Sequence, residues 1–134
     1  MEYIVHRRFK DKAICGEVNL PAFTICNTVS NFITYDGKPV CVDTSENAHQ
    51  YFARNDDGQG MLRGKLTHAI QNNLAKRNKT YQNRWNKIWE DARCQKYKRV
   101  EYSDYWLWNH EFFNASIEDL KYIANLIGIK ETSL

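Results

Sequence analysis

The chain has 134 residues, 19 Lys and Arg against 16 Asp and Glu, and a formal net charge of +3. That length suits one domain that buries roughly two-thirds of its unfolded surface and needs no metal or disulfide to hold a core. Apolar residues make up 43% and charged residues 26%, with six Gly and two Pro, which excludes collagen-like and low-complexity chains.

The first 43 residues predict strands. Tyr3–Lys10 is rich in β-branched and aromatic residues, and Lys10-Asp11-Lys12 reads as a turn. Ala13–Leu20 follows, Pro21 punctuates, and Cys26–Tyr35 carries the next strand-like run. Asp36-Gly37 suits the positive backbone angles of a two-residue hairpin into Pro39-Val40-Cys41-Val42. The expectation is a small antiparallel meander.

The pattern changes at Thr44-Ser45-Glu46-Asn47, a helix start with Ala48 and Phe52 sharing a face. This short helix ends in the polar stretch Asn55–Gly60. A second helix carries Leu62, Leu66, Ile70 and Leu74 at four-residue spacing, and Asn78-Lys79-Thr80 breaks it. A third places Tyr81, Trp85, Ile88 and Trp89 on one face. Cys94–Glu101 is basic and indistinct, and Tyr102–Phe113 is an aromatic segment read as a short helix or a loop wall. The last helix starts with Ser116 as cap, buries Leu120, Ile123 and Leu126-Ile127, and stops at Gly128. Strands followed by helices predict an α+β fold: one domain over 1–134, β-rich over 1–43, helical over 44–128, with a tail over 129–134.

No apolar run follows a basic start at the N-terminus, and no 18-residue apolar stretch suits a membrane span, so a cytoplasmic chain is expected. Cys15, Cys26, Cys41 and Cys94 have no CxxC or zinc spacing and read as reduced, structural residues. His6, His49, His68 and His110 form no metal motif, and no nuclease-like acidic constellation can be read. The expectation is no catalytic residue, no metal and no cofactor.

Charge is unevenly placed. Residues 1–59 balance to −2, residues 60–100 to +9 with only Glu90 and Asp91 as acids, and residues 101–134 to −4. Ten of the 18 aromatics, including all four Trp, lie within Tyr81–Phe113. Cations beside flat rings suit a nucleotide, whose phosphates take Arg or Lys and whose base takes a stacking surface. The competing readings are a Trp85-Ile88-Trp89 core stripe and a solvated lysine face. An acidic C-terminal segment docked on the basic region is a further one. Gly64 within a helix, between Arg63 and Lys65, points either to close packing or to close approach of a ligand. Gly58-Gln59-Gly60 leads into that helix, but neither GxxxxGK[ST] nor GxGxxG is present.

The strings Ser45-Glu46-Asn47-Ala48-His49-Gln50, Asn55-Asp56-Asp57-Gly58-x-Gly60-x-x-Arg63-Gly64-Lys65-Leu66 and Trp106-Leu107-Trp108-Asn109-His110-x-Phe112-Phe113-Asn114-Ala115 resemble the phage anti-Thoeris sponge family. The resemblance implies an N-terminal sheet, C-terminal helices and a dimer or hexamer. It also implies sequestration, without cleavage, of cyclic ADP-ribose isomer signals, extending to cyclic oligonucleotides, inside an infected bacterial cell. It points to Arg63, to an aromatic such as Phe52 or Trp108, and to Asn109. With the basic residues Lys65, Lys98 and Arg99 these form the expected ligand set. The alternative is a phage inhibitor or nucleic-acid-binding protein acting on a nuclease complex through its basic helices. A signal-cleaving enzyme ranks third.

Overall fold

The computed structural model describes residues 1–97 and 110–130. It is an α+β chain, sheet first and helices after, in two compact units, Met1–Gly64 and Lys65–Leu134.

In the first unit, β1 (Glu2–Val5), β4 (Ile25–Val29), β5 (Phe32–Tyr35), β6 (Lys38–Val42) and β7 (Phe52–Arg54) form an antiparallel sheet of order β6-β5-β4-β1-β7. β2 (Phe9–Ala13) and β3 (Gly16–Leu20) form a separate hairpin. Its tip donates from Ile14 N to Val40 O (2.9 Å) and from Cys15 N to Pro39 O (3.1 Å). The tip thereby covers part of the β6 edge, which would otherwise offer open carbonyls to another chain.

The expected meander is present as β4-β5-β6. Asp36 and Gly37 take φ of 52° and 74° and set Tyr35 opposite Lys38. The expected long strands divide. Tyr3–Lys10 breaks after Val5, and Cys26–Tyr35 turns at Ser30, whose φ is 54°. Lys10-Asp11-Lys12 is not a turn. The three residues sit inside β2, paired with Asn19, Val18 and Glu17, and all three are exposed, because the two-stranded ribbon is open to water on both faces at its middle. The chain reverses instead at Ile14-Cys15.

α1 (Glu46–Tyr51) starts where Ser45 Oγ accepts from Ala48 N. Phe52 does not continue it. At φ −114° and ψ 150° it leaves the helix and begins β7, opposite Val5 on β1. Its ring still enters the core, 5.7 Å from that of Phe9. Phe9, Val5, Leu20, Cys26, Ile33, Val40, Ala48 and Phe52 belong to one buried cluster. The opposite face of the sheet leaves Val29, Phe32 and Val42 exposed as a cross-strand stripe.

α2 (Gly60–Ala75) begins in the first unit, and the division falls after Gly64. The second unit holds the rest of α2, α3 (Tyr81–Trp89), a 3-10 turn over Ala92–Tyr97, α4 (His110–Phe113) and α5 (Ile117–Leu126). Leu66, Ile70 and Leu74 are fully buried, as the four-residue spacing predicts. α3 lies against α5 and the 3-10 turn. Trp85 and Trp89 stack at 5.6 Å, both buried, so they serve as core here. Ser116 Oγ accepts from Asp119 N at the start of α5. Ser116→Ala should therefore cost about 1 kcal/mol, read from urea unfolding followed by tryptophan fluorescence. An unchanged midpoint would show that this cap carries no stability. Among the described residues no helix is long and apolar enough to cross a membrane.

Candidate functional site: the basic residues and their partners

Between Gly58 and Trp89 the sequence has seven cations and no carboxylate. What each can do depends on what the fold gives it to bind.

Arg63 is 2% exposed and held by a fork. Its Nη2 donates to Asp57 Oδ2 at 2.6 Å and its Nη1 to Asp57 Oδ1 at 3.1 Å, while Nη1 also donates to Arg54 O at 2.7 Å. These bonds hold the Asp57 carboxyl well below the usual carboxylate range. The rest of that string is bonded just as closely. Asn55 Oδ1 accepts from Gly60 N (2.8 Å), and Asn55 Nδ2 donates to Glu2 Oε2 (2.7 Å). A Cβ on Gly60 would strike Ile4, and one on Gly64 would strike the Cβ and ring of His6. The two readings of Gly64 thus resolve as close packing. Asn55 to Gly64 locks the start of α2 onto β1 and β7, which is a scaffolding task.

Lys65, next along, is exposed. Phe52 is 4% exposed in the first core. Lys98, Arg99, Trp108 and Asn109 lie outside the described residues. The described members of the expected ligand set therefore divide: Arg63 and Phe52 are buried, and Lys65 faces water.

In the second unit three basic groups are spent on structure. Arg84, 8% exposed, gathers the α2–α3 turn. Its Nη1 donates to Asn73 O and Oδ1, its Nη2 to Lys76 O and Asn78 Oδ1, and its Nε to Thr80 Oγ1 (3.2 Å). The Asn73 carbonyl in the last turn of α2, which also accepts from Lys76 N (3.2 Å), and the Lys76 carbonyl just beyond it are bound this way. Arg93 and Lys96 converge on Asp119. Arg93 Nη2 lies 3.1 Å from Oδ1, and Lys96 Nζ lies 2.5 Å from Oδ2. The Tyr97 hydroxyl donates to Oδ2 at 2.5 Å. Of the acidic C-terminal segment, Asp119 docks on these two cations of the basic region.

Burial opposes ionisation of Asp119, but hydrogen bonds from Lys96, Tyr97 and Arg93 outweigh it and bring the carboxyl to about 2. The Tyr122 hydroxyl donates to Asp91 Oδ2 at 2.5 Å and lowers that carboxyl. A group whose folded pKa is depressed stabilises above its unfolded value and loses that contribution as pH falls. The Asp119 contribution should be complete above its ordinary value of 3.8 and vanish towards about 2. Acid unfolding followed by tryptophan fluorescence, compared with Asp119→Asn, checks it. An identical acid limb in the two proteins would refute the assignment.

Lys76, Arg77, Lys79 and Lys87 remain exposed. Arg77 lies over the Tyr81 ring, 5.0 Å from its centroid. An open groove of about 480 Å³ on the β2-β3 hairpin contains none of these residues. Its lining of Lys10, Lys12, Asp11, Glu17, Val18 and Asn19 balances two cations against two anions. The buried thiols of Cys26 and Cys41 are pushed up to about 11 and that of Cys94 to about 12 by burial, so they are protonated and unreactive at neutral pH. Among the described residues no group of three His, Cys, Asp or Glu side chains could hold a metal ion.

Sequence reasoning missed Arg84, Asp57 and Asp119. Ser116-x-x-Asp119 is a capping spacing that marks Asp119, but nothing local marks its cation partners. Compared with protein-family models, curated proteins and solved structures, the chain matches none.

Proposed function

We propose that this chain is a non-enzymatic binding protein that captures a small nucleotide-derived messenger, of the cyclic ADP-ribose isomer or cyclic oligonucleotide class, in an infected bacterial cell. The observation that carries the reading is the behaviour of the Asn55–Gly64 string on which the resemblance rests. It folds as one bonded unit that ties the start of α2 to β1 and β7. That is what a signature of shared architecture should do, and it accompanies the sheet-then-helices order that the resemblance implies. The charge balance supports a phosphate-bearing ligand, since residues 65–134 hold twelve cations and eight anions.

Capture predicts calorimetric heat and a thermal shift with a cyclic ADP-ribose isomer or a cyclic oligonucleotide. It also predicts recovery of intact ligand, by mass, after the protein is denatured. No heat with either class would remove the reading, and altered product masses would replace it with an enzyme. Self-association belongs to the same proposal, supported by the exposed stripe of Val29, Phe32 and Val42. Light scattering of the native protein tests it, and a monomer at all concentrations would exclude it.

A further inference from the structure

We propose that the α2–α3 turn is a preformed docking surface for the phosphate backbone of a nucleic acid strand, a function beyond small-messenger capture. Every residue from Ala75 to Thr80 is exposed, and three of the six are Lys76, Arg77 and Lys79. Among the described residues neither the Lys76 nor the Lys79 ammonium is in an ion pair.

Like charges so close repel one another, and the group built beneath the turn is a further cation. Arg84 spends all three of its guanidinium nitrogens on the turn, meeting Asn73, Lys76 O, Asn78 and Thr80. Asn78 Oδ1 also accepts from Thr80 N (3.1 Å) and Thr80 Oγ1 (2.8 Å). The backbone that carries the three cations is therefore fixed before any ligand arrives, which lowers the ordering cost of binding.

The bland account is that cations after a helix C-terminus complement its dipole. It explains Lys76 and Arg77, which directly follow α2. It does not explain Lys79 at the positive end of α3, whose first turn has no acidic residue. The shape decides the ligand class. Small-molecule sites are concave, whereas this turn is exposed along its whole length. An extended polyanion can lay successive phosphates along it. The exposed Gln82 and Asn83 at the start of α3 add amide donors beside the cations.

The test is fluorescence anisotropy with a labelled single strand and a labelled duplex of mixed sequence, at stepped salt. Wild type should bind at low salt with steep salt dependence. The triple variant Lys76→Gln, Arg77→Gln, Lys79→Gln should lose at least about tenfold in affinity, and its salt slope should fall by roughly 2–3, near 0.9 per lost phosphate contact on duplex. The exposed pair Lys10→Gln, Lys12→Gln on β2 should leave both quantities unchanged. Circular dichroism confirms that the variants fold. No binding by wild type, an unchanged triple variant, or equal competition by poly-glutamate would each overturn the proposal. Heat with a cyclic ADP-ribose isomer is recorded in parallel and reports on the capture reading alone, so either can fail without the other.

Discussion

Replacing Asp57 with Ala should destabilise the first unit by about 3–5 kcal/mol, more than replacing Arg63 with Met does. The asymmetry follows from exposure. The Arg63 side chain is 2% exposed and that of Asp57 36%. Removing Asp57 takes two hydrogen bonds and an opposite charge from a guanidinium that water cannot reach. Removing Arg63 leaves a carboxylate a third open to solvent, which rehydrates, and Met fills much of the vacated space. That change should cost about 1–3 kcal/mol, the range for one lost charged hydrogen-bonding partner. Asp57→Asn should fall between the two, because an amide oxygen still accepts from Arg63. All four Trp lie in the second unit, so far-UV ellipticity of the sheet must follow this unfolding. The m-value should stay constant if native stability alone has changed. Equal costs for Asp57→Ala and Arg63→Met would show that the pair is no more than a surface contact.

What could be read from the sequence followed from how local each signal is. Asp36-Gly37 states its own turn, because two positive φ values are needed and those residue types supply them. The caps at Ser45 and Ser116, the α2 stripe and the Trp85-Ile88-Trp89 face are equally local, each spanning at most a few turns of chain. β7 could not be read. Three residues have too little pattern to show a strand, and its partner β1 lies some fifty residues earlier. Phe52 accordingly reads as the next apolar residue of α1, since both placements bury its ring. Lys10-Asp11-Lys12 misleads for the opposite reason: a charged triplet looks like a turn where a two-stranded ribbon is wet on both faces.

The basic region shows the same limit. Eleven cations over residues 60–100 read as one patch. Their partners, however, are Asp57 across a loop, the carbonyls that end α2, and Asp119 in α5. No spacing rule anticipates those pairings. Once these are subtracted, the exposed cations among the described residues of this region are those of the α2–α3 turn with Lys65 and Lys87.

Gly64→Val should cost about 3 kcal/mol, at the upper end of what overpacking a tight contact does. Glycine in a helix interior normally loses about 1 kcal/mol to Ala, so any substitution here starts from an intrinsic gain. The gain is overturned because an added Cβ meets the ring and the Cβ of His6, and the Cβ is held by the backbone, so no side-chain rotation moves it. His6 is 8% exposed and its backbone N donates to Tyr51 O at 2.9 Å, which fixes it beside α1. Relief therefore requires α2 to lift from β1, and the Asp57–Arg63 fork and the Asn55–Gly60 bond resist that. Gly64→Ala should show the same effect at about 1–3 kcal/mol. A double-mutant cycle identifies the cause. His6→Gly removes the ring and the Cβ that the added carbon meets, so Gly64→Ala in that background should recover at least about 1 kcal/mol of the loss, the coupling expected of residues in contact. Purely additive costs would mean that Gly64 serves something other than the approach of α2 to His6, and would reopen the reading in which a ligand comes close between Arg63 and Lys65.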